Sequence, residues 1–128
     1  MNADKFIQPR DVKIGERRFV VSKIPATDAL AIHNIVAKSV IEHGVLGITM
    51  LPPATDLDIL RYTAIRDDDD SVRSLDSDAA VNVNFKGDVQ GLKELVIEMV
   101  KENFGFLITG DLLGKFPLPK EAPVESAS

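Results

Sequence analysis

Apolar and polar residues alternate on either side of Gly15, with Val12 and Ile14 before it and Phe19 and Val21 after it. A period of two around a central glycine predicts a short β-hairpin between Val12 and Ile24, turning near Gly15-Glu16. A lone hairpin is marginal in water, so its apolar face must lie against helices. Pro25 stops the second strand, and the apolar period then lengthens to that of a helix. Thr27 is the expected N-cap, Gly44 the expected closing residue after His43, and Ile32, Ile35, Val36 and Val40 the core face.

From Val45 to Ala54 the chain mixes apolar residues with Gly47, Pro52 and Pro53, which predicts a packed loop. Thr55 is then expected to cap a helix ending near Arg66, with Asp56 and Asp58 in its first turn and Leu57, Leu60 and Ala64 facing inward. Asp67 to Arg73 is expected to be a polar loop. Asp76 to Phe85 is read as a short helix lined by Ala79, Ala80 and Val83, with strand as the alternative because of Val81-Asn82-Val83. The clearest element follows Gly87-Asp88, a helix from Val89 to Phe104. Its stripe is Val89, Leu92, Val96 and Met99, widened by Leu95, Val100 and Phe104, and Gly105 is expected at C′.

The expected fold is therefore mainly α: a small helical domain with an N-terminal β-hairpin and a disordered C-terminal tail. The boundaries are a flexible N-terminus at 1–11, the helical domain at 12–107, and an apolar segment with a Pro-containing tail at 108–128. A chain of 128 residues can bury a core without disulfide or metal support.

Charge and composition narrow the function. The 15 basic and 20 acidic residues are interspersed and sum to −5, whereas phosphate neutralisation needs clustered Lys and Arg, so nucleic acid is not an expected partner. No cysteine is present, which removes thiolate nucleophiles, disulfides and Cys-based zinc sites. No leader-like segment and no window near ~18 apolar residues occurs, so neither export nor a membrane partner is expected.

The run Asp67-Asp68-Asp69-Asp70 invites comparison with a calcium loop, Asp67, Asp69 and Ser71 taking the first ligand positions. Val72 then stands where the loop needs glycine and Asp78 where it needs a bidentate Glu, so a solvated loop is the better reading. Gly110 to Lys115 lacks the spacing and the Ser or Thr of a phosphate loop. His33 and His43 are ten residues apart and share no helical face at metal-ligand spacing. No nucleophile elbow, HExxH or GxGxxG pattern supports an enzyme, and no cofactor is expected.

The remaining candidate surface is the apolar segment at the end of the long helix. Phe104, Phe106, Leu107, Ile108, Leu112, Leu113 and Phe116 are expected to bind a partner, among glycines at 105, 110 and 114 that argue against one long core helix. The alternative is that the same residues complete the domain's own core.

Three stretches carry a resemblance: Ile14 to Ala26 with its Ser22-Lys23-Ile24-Pro25-Ala26 step, Asp56 to Arg66, and Val81 to Leu107 closing on Glu102-Asn103-Phe104-Gly105-Phe106. Together they resemble the tail assembly chaperones of long-tailed bacteriophages and prophages, although Asp28-Ala29-Leu30-Ala31 stands where relatives often have Gly-Arg-Glu. The resemblance implies a non-enzymatic protein of the host cytoplasm that binds the tape measure protein, is shed as tail tube subunits polymerise, and is absent from the mature virion. Contact with the tail tube protein and self-association are also compatible with it. Rival readings are a small structural tail or neck protein, an acidic DNA mimic, and a metal-dependent enzyme built on the aspartates.

Overall fold

The hairpin forms where the alternation places it. In the computed structural model, which describes residues 9–109, β1 (Arg10–Ile14) pairs antiparallel with β2 (Arg17–Val21). The turn between them opens on Gly15 at φ +62°, a left-handed conformation that glycine adopts without steric cost. Residues 10 and 11, assigned above to a flexible N-terminus, thus belong to β1. Phe19 and Val21 project from one face of β2 and are fully buried, Phe19 stacking on Phe85 at 5.5 Å.

The segment expected to be one helix from Thr55 to Arg66 is instead a helix and a strand. α2 spans Pro53–Leu60 and starts after Pro52, leaving Thr55 buried within its first turn rather than capping it. Ala64–Arg66 forms β3, which pairs with β2 in the register Arg18↔Arg66, Phe19↔Ile65 and Val20↔Ala64. The second edge of β2 needs backbone partners, and pairing there also buries Ile65, which outweighs the local helical pattern. Within the expected loop, Val72–Ser74 forms β4, giving a sheet of order β1-β2-β3-β4.

The helices fill in the rest. α1 (Ala26–His43) is capped by Pro25 without a side-chain hydrogen bond, so Thr27 lies inside the helix, and Gly44 ends it at φ +74°. Ile32, Val36 and Val40 are buried as expected, whereas Ile35 is 41% exposed. The expected loop at 45–54 begins as a 3-10 helix, Gly44–Met50, folded back on α1. Gly47 lies so close that an added Cβ would fall 2.2 Å from the Ser39 carbonyl oxygen. α3 (Asp78–Asn84) is helical, as read, with Ser77 accepting from the Ala80 N–H, but its buried residue is Val81 and Val83 faces out.

α4 runs Val89–Thr109, opened by Asp88, whose carboxylate accepts from the Gly91 N–H at 2.9 Å. Leu95, Val96, Met99 and Val100 are fully buried, while Val89 at the head of the expected stripe is exposed. The helix does not stop at Phe104. It kinks there (φ −136°, ψ 39°) and continues past Gly105. The domain is mainly α with an N-terminal antiparallel hairpin, extended into a small sheet. The expected disordered tail lies outside the described residues.

Candidate functional site

Two stretches about eighty residues apart meet at the kink. Asn103 on α4 accepts the Ile24 N–H through Oδ1 at 2.8 Å and donates through Nδ2 to the Ser22 and Met99 carbonyls, each at 3.0 Å. The Lys23 ammonium donates to the Glu102 carbonyl, two residues before the non-helical backbone of Phe104. Arg10 pairs with the Glu102 carboxylate at 2.9 Å. Burial pushes that carboxyl up, but Arg10 and Lys23 more than offset this and hold it below the usual carboxylate range. One side-chain amide and one ammonium thus tie the hairpin exit to α4 beside the kink.

Past the kink the candidate binding residues divide. Phe104 and Leu107 are 5% and 3% exposed and belong to the domain's own core, so the partner-binding expectation gives way at these two to the core-completing alternative. The kink at Phe104 rotates the following turn so that Leu107 faces inward while Phe106 remains about 40% exposed. His33 of α1 lies between the two aromatic rings, edge-on to Phe104 and stacked near Phe106, both at 5.7 Å between centroids. Ile108 falls in the last turn of α4, and Leu112, Leu113 and Phe116 lie outside the described residues.

An apolar surface that sequence reasoning missed adjoins this cluster. Leu30, His33, Ala37 and Ile41 recur at helical spacing on one flank of α1, beside the buried row of Ile32, Val36 and Val40. Leu30 is 64% and Ile41 46% exposed, and the 3-10 helix adds exposed Val45, Leu46 and Met50. The signal was present in the sequence. The stretch from Gly44 to Thr55 carries no charged residue, and a second apolar row runs alongside the core row of α1. Scattered exposed apolar residues are normal, whereas a row of them continued by an uncharged segment is characteristic of a protein-contact surface.

The polar candidates resolve into structural roles. Asp67 accepts from Nε and Nη2 of Arg73, at 2.7 and 2.8 Å, and this hydrogen bonding holds its carboxyl below the usual range. Asp69 accepts from the Ser71 N–H and hydroxyl, and Asp70 pairs with Arg18 at 3.2 Å. Among the described residues no group of three or more His, Asp or Glu side chains is placed to hold a metal. A cavity of about 200 Å³ between α1 and the end of α2 is lined by Asp28, Asp58, Arg61 and Tyr62, the Tyr62 hydroxyl donating to Asp28. A second, of about 270 Å³, lies by the Asp67 turn, where Arg17, Arg18, Arg66 and Arg73 each face a carboxylate.

Among the described residues, no single helix is long and apolar enough to cross a membrane. In comparisons with protein-family models, curated proteins and solved structures, nothing matches the chain.

Proposed function

We propose that the protein is a non-enzymatic tail assembly chaperone of a long-tailed phage or prophage, acting in the host cytoplasm by covering the tape measure protein. The observation that carries the binding part of this reading is the exposed apolar flank of α1 with the 3-10 helix behind it, Leu30, Ile41, Val45 and Leu46. Such a row can receive the apolar stripe of an amphipathic helix, the pattern by which a long tape measure helix would need covering. The convergence of Ser22-Lys23-Ile24 with Glu102-Asn103-Phe104 gives a physical reason for two of the stretches that resemble the family to occur together. The pairing of the acidic run with Arg18 and Arg73 removes much of the field that a DNA mimic would need.

Co-expression with a tape measure protein of the same phage or prophage tests the reading. The two should co-purify, and Leu30→Asp with Ile41→Asp should abolish this while the circular dichroism spectrum stays unchanged. Purified particles should lack the protein; its presence in them at fixed stoichiometry would favour the structural tail component instead.

A further inference from the structure

The described chain ends at Thr109, one helical turn beyond a ring that already touches the apolar flank of α1. Phe106 lies 5.7 Å from His33, and His33 belongs to the same row as Leu30, Ala37 and Ile41. Nineteen residues follow, 110–128, and their first part is apolar: Leu112, Leu113, Phe116 and Leu118 fall within seven positions. From His33 to Ile41 is eight helical residues, about 12 Å along the axis. An extended chain advances about 3.3 Å per residue, so Leu112 lies within about 10 Å of Thr109 and Phe116 within about 23 Å. Both ends of the exposed row are within reach of the segment without unwinding any of α4.

We propose that residues 112–118 of this chain dock in cis on the exposed flank of α1, with Leu112, Leu113 and Phe116 covering Leu30, Ala37 and Ile41. The tether favours this occupant over a second copy. A segment joined by a few residues meets the row at an effective concentration in the millimolar range, and closing so short a loop costs little. A free partner must then displace the segment, which makes the flank a guarded surface. The inference stands independently of what that partner is and does not rest on the chaperone reading.

The chain contains no cysteine, so introduced pairs report without background. Ile41→Cys is combined in turn with Leu113→Cys and Phe116→Cys in the full chain, and Lys13→Cys, which projects from the opposite face of β1 to Val12 and Ile14, replaces Ile41→Cys as control. Under mild oxidation the Ile41 pairs should close as intramolecular disulfides about tenfold faster than the control pairs, the gain expected of docking over tethering alone. In parallel, a chain cut after Thr109 should bind a hydrophobic dye more strongly than the full chain, and Leu30→Asp with Ile41→Asp should cancel that increase. Equal closure rates for flank and control pairs overturn the proposal. Disulfide-linked dimers in place of intramolecular closure also overturn it, assigning the flank to a second copy. Because neither readout includes the tape measure protein, failure here leaves the co-purification test above intact, and the reverse.

Discussion

Two acidic regions of this protein invert the weight that the sequence gives them. Asp67 to Asp70 is the most conspicuous polar run, yet it makes a surface turn: the Asp70 N–H donates to the Asp67 carbonyl at 2.8 Å and each carboxylate with a basic partner meets it in solvent. Asp56 is a single acid in the first turn of α2, only 6% exposed, bonded to Lys93 of α4 at 2.6 Å, its other oxygen having no hydrogen-bond partner among the described residues. Burial raises the Asp56 carboxyl above its ordinary value despite Lys93, whereas Arg73 lowers Asp67. The difference teaches that the environment, and not the number of like charges, decides which carboxylate matters to the fold.

The sharpest test of that contrast removes the cation from the buried pair. Lys93→Met should cost about 3–5 kcal/mol in urea unfolding, because it leaves Asp56 charged and uncompensated between α2 and α4. Adding Asp56→Asn to the same chain should recover much of the loss; a small effect of Lys93→Met alone would break the comparison.

Asn103 carries no charge and holds backbone groups of both the hairpin exit and α4. Asn103→Ala should cost about 1–3 kcal/mol, since the Ile24 N–H and the Ser22 carbonyl lose their partner in a part-buried junction. Hydrogen exchange should then quicken at Ile24 before it quickens at Leu95.

In the acidic turn the expected effects are smaller and one has the opposite sign. Asp70 sits at φ +69°, where glycine is at ease, and its exposed bridge to Arg18 contributes little. Asp70→Gly should therefore raise stability by about 0.5–1 kcal/mol in the same denaturation experiment. Asp68→Asn should leave the melting temperature unchanged, with or without divalent ions.

The two regions also respond oppositely to pH. Asp56 has a raised folded-state pKa, so its contribution is fully present below the unfolded carboxylate range and is lost as pH rises through the folded value. Asp67 has a lowered one, so its contribution is present above the unfolded value and is lost as pH falls through the folded value. Between pH 3 and 7, Asp56→Asn should gain stability relative to the parent as pH rises, and Asp67→Asn should lose it. Urea midpoints across that range report both slopes.

What the sequence determined by itself was everything written as a local period with its own punctuation. The Gly15 turn, the Ile32-Val36-Val40 row closed by Gly44 and the Leu95-Val96-Met99-Val100 stripe behind Asp88 are each complete within a few turns of chain. In the candidate site, Phe104, Phe106 and Leu107 were legible as a group of large apolar residues, but which of them the core would take was not.

Only the tertiary structure decided the rest. The helical pattern ending at Arg66 became β3 because β2 offered backbone partners and a covered place for Ile65, neither visible within that segment. The partners of Glu102 and Asn103 beside the kink are Ser22, Lys23 and Ile24, which a window around α4 does not contain. Among the described residues the neighbouring elements cover the first apolar row of α1 and leave Leu30 and Ile41 of the second exposed. Periodicity records the preference of each side chain for water or its absence, while register, chain direction and coverage are properties of pairs of elements brought together from distant parts of the chain.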